Sequence, residues 1–206
     1  MQLQDILYSQ GFGTRRVCAG LIQQGFVAVY ESPDAASPTV WTESARDIRP
    51  QGLRFRVQGV DWAYFEKAYL MLHKPAGTEC SQKPSTYPSI YTLLPSPLRL
   101  RPQKSAVQGV QAVGRLDQDT TGLLLLSDDG QFIHRMSSPK KHLPKVYEVT
   151  VKHPLDAKAG DTLSGGFTVV HRLGSGSTCV ALAVTRGTDA GVLKVERPYR
   201  SAGRDK

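Results

Sequence analysis

The chain has 206 residues, 40% of them hydrophobic, with a formal net charge of +8 and a sequence pI of about 9.5. That length and apolar content support one or two folded domains and exclude a wholly disordered chain. The basic balance points to a polyanionic partner, of which nucleic acid is the commonest. Cys18, Cys80 and Cys179 are far apart and form no C-x-x-C pair. That usage argues against a disulfide frame or zinc knuckle and fits a reducing compartment. The opening MQLQDILYSQ lacks the apolar core of a signal peptide, and no apolar run approaches the ~20 residues of a membrane-spanning helix. A cytoplasmic protein without membrane association is expected.

Leu3, Ile6 and Leu7 share one face of a first helix, which Gly11 and Gly13 end. Thr14 is suited to cap a second helix, Arg15–Gln24, with Val17, Leu21 and Ile22 as its apolar face. Gly25 can close it in a left-handed conformation before a strand over Phe26–Tyr30. Glu31–Thr39 reads as a loop, and Leu53, Phe55 and Val57 alternate with Arg54 and Arg56 as in a strand. A domain boundary is expected near Gly59–Phe65, separating a module over 1–62 from a domain over 66–206.

Tyr69–His73 is a short apolar strand leading into the turn Lys74-Pro75-Ala76-Gly77. Ser81–Pro102, with its five prolines, predicts a surface excursion with one short helical turn. Leu123–Leu126 is too short for an independent helix and reads as a buried strand. Ser127, Asp128 or Asp129 is placed to cap a helix running through His134 to Ser137. Pro144–Val151 alternates as a strand, and Val180–Val184 is a further candidate. The last fifteen residues are polar and basic without apolar periodicity, and poor order is expected there.

Arg15 and Arg16 open the second helix, where backbone N–H groups already favour phosphate. The bland alternative is a pair of solvated surface charges. The run GFGTRRVCAGLIQQGFVAVY around them resembles the S4 domain, a small helix-helix-strand RNA-binding module, well over the first 30 residues and loosely over the next 30. That resemblance implies docking to structured RNA rather than a reaction.

The most informative stretch is GRLDQDTTGLLLLSDDG, Gly114–Gly130. With the upstream YLMLHKPAG and the downstream KVY, it resembles the RsuA-type family of ribosomal RNA pseudouridine synthases, whose domain order also matches. The resemblance implies an isomerase that breaks a uridine N-glycosidic bond, turns the base and rejoins it through carbon 5, with no cofactor and no metal. It makes Asp117 the catalytic carboxylate, as nucleophile or base. Arg115 would lie near it, holding it ionised and helping to expel the base from its stack. Tyr147 would stack on the flipped base and assist at carbon 5. Lys74, Lys140, Lys141 and Lys145 join Arg15 and Arg16 as expected RNA contacts. Asp119 and Asp128 read as turn and cap residues.

Asp117-Gln118-Asp119-Thr120-Thr121 also fits the D-x-D-x-T pattern of haloacid-dehalogenase-type phosphatases, but there the apolar strand precedes the motif and here it follows. A second alternative is an RNA-binding protein without catalysis. The resemblance fades near Asp156, and Ala157–Lys206 lacks the family's basic, aromatic and His-containing run. The expected fold class is α+β: an S4-like module followed by a mixed, mostly antiparallel sheet with flanking helices. The expected protein is a monomer acting on ribosomal RNA, with the small-subunit RNA as the expected target, or on a ribosomal assembly intermediate.

Overall fold

The computed structural model describes residues 1–103 and 107–138, and beyond them the backbone of strands within 145–150, 168–169, 179–180, 183–186 and 192–197. The chain divides into two compact units, Met1–Ile133 and His134–Lys206.

Two helices begin the first unit, α1 (Leu3–Ser9) and α2 (Arg15–Gln23). Leu3, Ile6 and Leu7 are fully buried, as their spacing requires. Thr14 caps α2 by accepting from Val17 N at 3.3 Å. The buried side of α2 is Cys18 and Ile22, with Leu21 packed beside them; Val17, expected inside, is half exposed. Gly25 takes φ +76° and turns the chain into β1 (Val27–Val29). β2 (Thr39–Val40), β3 (Arg54–Val57) and β4 (Val60–Ala63) complete a four-stranded antiparallel sheet of order β2-β1-β3-β4. The Gln58-Gly59 pair, both at positive φ, is the two-residue turn of the β3–β4 hairpin rather than a linker. Leu53, Phe55 and Val57 face the helices and Trp41 closes the side of this first apolar core.

A second core follows. β5 (Tyr69–Lys74) pairs antiparallel with β7 (Gly122–Ser127), in register from Tyr69↔Ser127 to Lys74↔Gly122, and β6 (Gln111–Ala112) adds to the far side of β7. Leu124 and Leu126 are buried with Ala68, Ile90, Tyr91 and Val110, whereas Leu123 on the other face is 65% exposed. The leucine run is therefore a strand with one buried face, not one buried on both. The proline-rich excursion is also less superficial than expected. It holds a 3-10 turn (Ile90–Leu93) and α3 (Ser96–Leu100), and Ile90 and Tyr91 enter the core. Its tip is organised by Glu79, whose carboxylate accepts from the backbone N–H groups of Ser85, Thr86 and Tyr87 at 2.8–3.0 Å.

α4 (Gly130–Ser137) follows β7 and is capped by Asp129, which accepts from Gln131 N and Phe132 N. In the second unit β8 (Lys145–Thr150) pairs antiparallel with β12 (Val192–Arg197), which pairs in turn with β11 (Ala183–Arg186). β9 (Thr168–Val169) and β10 (Cys179–Val180) form a separate two-stranded ladder. Strand β12 falls within the final fifteen residues, where poor order was expected: a paired neighbour supplies the backbone hydrogen bonds that a local apolar period does not announce. All named strand pairs among the described residues are antiparallel, and the molecule is α+β.

Candidate active site

Asp117 sits in the loop joining β6 to β7. Gly114 turns the chain at φ +82°, and Thr120 N donates to Asp117 O at 3.1 Å to close a turn over Asp117–Thr120. The loop backbone is held from three directions. Leu116 packs its side chain on the second core, and its carbonyl accepts from Cys80 Sγ at 3.4 Å. Gly77 N donates to Gln118 O at 2.7 Å. Lys74 Nζ donates to the carbonyls of Thr120 (2.9 Å), Pro75 (3.1 Å) and Gln118 (3.4 Å).

Lys74 therefore corrects the expectation that it meets RNA. The side chain is fully buried, and its three N–H donors are spent on the loop and its own turn. The signal was present in the sequence: Ala68, Leu70, Leu72 and Lys74 follow the period of two that marks the inward face of β5.

The side chains of Arg115 and Asp117 are exposed, and among the described residues neither makes a hydrogen bond or ion pair. A carboxylate on a clamped backbone, with its oxygens unspent, is available to an incoming substrate. The expected bracing of Asp117 by Arg115 is not formed among the described residues. Asp119, also exposed, lies within the turn. Asp128 is not the helix cap; it is buried against Arg101, at 2.6 Å.

Tyr147 lies in β8, opposite Val195 of β12, and Lys145 lies opposite Arg197. Lys140 and Lys141 fall outside the described residues. At the head of α2, Arg15 is paired with Asp5 at 2.7 Å and stacked over the Tyr8 ring at 4.2 Å, while Arg16 is exposed. Of the 26 Lys and Arg and 18 Asp and Glu, Met1–Ile133 holds 13 and 12, and His134–Lys206 holds 13 and 6. The basic excess thus belongs to the second unit, which also holds three of the expected RNA contacts, Lys140, Lys141 and Lys145.

Residues 68–165 match the family described as RNA pseudouridylate synthase. That match extends past Asp156, where the motif resemblance was expected to fade. An RNA pseudouridine synthase of Bacillus subtilis (strain 168), YtzG, is 31% identical over 204 residues, covering 91% of this chain and 77% of that protein. The ribosomal small subunit pseudouridine synthase A of Vibrio cholerae serotype O1 is 37% identical over 166 residues, covering 81% of this chain and 65% of that protein. Its counterpart in Pasteurella multocida is 45% identical over 89 residues, 43% of this chain and 35% of that protein. In both small-subunit enzymes the matched span is less than two thirds of their length. Among solved structures, a pseudouridylate synthase superposes with a TM-score of 0.50 at 25% identity, covering 98% of this chain and 79% of that one. The Asp117 loop, its antiparallel sheet and these similarities leave no room for the phosphatase reading, and the chain belongs to the RNA pseudouridine synthase family, isomerases that act on uridine in RNA.

Proposed function

We propose that this protein isomerises a specific uridine of ribosomal RNA, with the small-subunit RNA as its substrate, and that Asp117 is the carboxylate that acts on the flipped nucleoside. The observation that carries this reading is the Asp117 loop itself: its backbone is fixed by Lys74, Gly77 and Cys80 while its carboxylate stays exposed. The small-subunit enzymes of Vibrio cholerae and Pasteurella multocida support the choice of RNA.

In this reading Arg115, two residues from Asp117, enters the base stack and helps hold the target out of it. Tyr147 supplies a flat ring for the base and a hydroxyl near carbon 5. No redox cofactor is needed, since bond breaking and rejoining are redox-neutral. Arg16 and the basic second unit, including Lys140, Lys141 and Lys145, meet phosphates; Arg15 contributes less because Asp5 already neutralises it. The N-terminal module serves as an S4-like RNA dock, and the protein works as a cytoplasmic monomer.

The test is pseudouridine mapping in ribosomal RNA transcripts incubated with the protein and with Asp117→Asn. Conversion at one site by the first and none by the second is the expected result. RNA binding without conversion by the wild type would mean a docking protein without turnover.

A further inference from the structure

Between the two apolar cores of the first unit lies a buried polar node. Arg101, directly after α3, spends its guanidinium on four partners. Nε donates to Asp128 Oδ2 (2.6 Å) and Nη1 to Gln10 Oε1 (2.7 Å), while Nη2 donates to the carbonyls of Phe65 (2.8 Å) and Glu66 (3.1 Å). Asp128 uses its other oxygen to accept from Ala68 N at 2.7 Å. Gln10, at the end of α1, accepts from Phe65 N and donates to Phe65 O. The side chains of Arg101 and Asp128 are only 4% and 5% exposed.

The node joins segments of different origin. Gln10 belongs to the N-terminal module and Phe65–Ala68 to the connection, while Arg101 follows α3 and Asp128 follows β7. The two hydrophobic cores share no residue. A cleft of about 340 Å³, lined in part by Phe12, Trp62, Pro97 and Leu100, runs along the same boundary, so apolar packing there is incomplete. Gly11, at φ +89°, lies so close to α3 that a β-carbon would fall on the Pro97 carbonyl. A buried ion pair is a poor source of stability relative to apolar packing, because desolvation offsets much of the attraction. What it supplies is direction: a planar fork saturated in four directions permits one orientation.

Asp128 directly follows β7, and the Asp117 loop enters the same strand at Gly122. We infer that the Arg101–Asp128–Gln10 node locks the N-terminal module to the β7 sheet, making the module a fixed ruler. It then selects RNAs that present a module contact at a set offset from the target uridine. Gln10 and Arg101 are positioning residues in this scheme, which rests on the proposed action on RNA.

The decisive variant is Gln10→Leu, which removes the module's side chain from the node and leaves Arg101–Asp128 intact. Residual dipolar couplings on the full chain should fit a single alignment tensor for residues 1–62 and 68–133 in the wild type, and two in Gln10→Leu. With a long ribosomal RNA fragment kcat/KM should fall about tenfold, through KM, as a tethered contact loses its effective concentration. With a short stem-loop carrying only the target uridine it should not change. Gln10→Glu keeps the acceptor for Arg101 and should restore both readouts. A single tensor in Gln10→Leu overturns the lock, and an equal loss on both RNAs overturns the ruler. If the wild type converted neither RNA, the functional reading would fail by itself. The couplings, and the affinities for the two RNAs, would still decide the lock and the ruler.

Discussion

Strand β7 has a carboxylate at each end, and the two have opposite fates. Asp128, just past its C-terminal end, is buried, paired with Arg101 and bonded through both oxygens. Asp117, in the loop that feeds its N-terminal end, is exposed, and its side chain has no partner among the described residues. Each is near an arginine in the fold or in the chain, so residue type does not separate them; saturation does. A buried carboxylate with both oxygens bonded is held as structure, whereas one exposed on a fixed backbone keeps its oxygens open to a substrate. The clamps differ in the same way: around Asp117 the backbone is fastened, around Asp128 the side chain is.

The largest test of that contrast is Asp117→Asn. Turnover on ribosomal RNA should drop on the order of a thousand-fold or more, with RNA affinity and unfolding midpoint nearly unchanged. The opposite pattern is expected at the other end of the strand. Asp128→Asn or Arg101→Leu leaves one buried charge uncompensated, at a cost of roughly 3–5 kcal/mol of stability measured by denaturant unfolding. An unchanged unfolding midpoint for Asp128→Asn would show that Asp128 is not a structural carboxylate.

Lys74→Met falls between the two. It leaves the Thr120 carbonyl short of a donor, at roughly 1–3 kcal/mol, while Pro75 O keeps Thr78 Oγ1 and Gln118 O keeps Gly77 N, and it loosens the Asp117 loop. A lower kcat with little change in KM is the expected kinetic signature; a change confined to KM would return Lys74 to the RNA-binding role.

A smaller effect concerns pH. The N–H groups of Tyr87, Thr86 and Ser85 hold the Glu79 carboxyl down from its ordinary 4.5 to about 2. Because the folded value is lowered, the stabilisation is complete above the ordinary carboxylate range and is lost as pH falls through about 2. Hydrogen exchange at the three amides should therefore stay slow near neutrality and lose its protection only in strong acid. Glu79→Gln should abolish that pH dependence.

The smallest effect is expected from Arg15→Ala with Arg16→Ala. Two phosphate contacts would change the salt slope of RNA binding by about two, but the Asp5 pairing of Arg15 predicts about one. Neutralising Lys140, Lys141 and Lys145 should lower the slope more, in keeping with the basic excess of His134–Lys206.

Much of this was legible before any coordinates. The Leu3/Ile6/Leu7 stripe, the Thr14 cap, the left-handed Gly25, the alternation at Leu53–Val57 and the leucine strand are local patterns, and local patterns survive folding because they reflect backbone geometry. The motif around Asp117 was legible for a different reason, its resemblance to a family. Other features needed the assembled chain. Any of Ser127, Asp128 and Asp129 could cap α4; Asp129 does, and Asp128 instead follows Leu124 and Leu126 inward to Arg101, twenty-seven residues earlier. Lys74 looked like a surface cation because lysines usually are, yet the period of β5 turns it inward toward carbonyls contributed by a loop more than forty residues away. The sequence by itself determined the periods, the caps and the motif. Only the tertiary structure decided which charges are spent and which are left free, because that depends on partners distant in the chain, which no local pattern encodes.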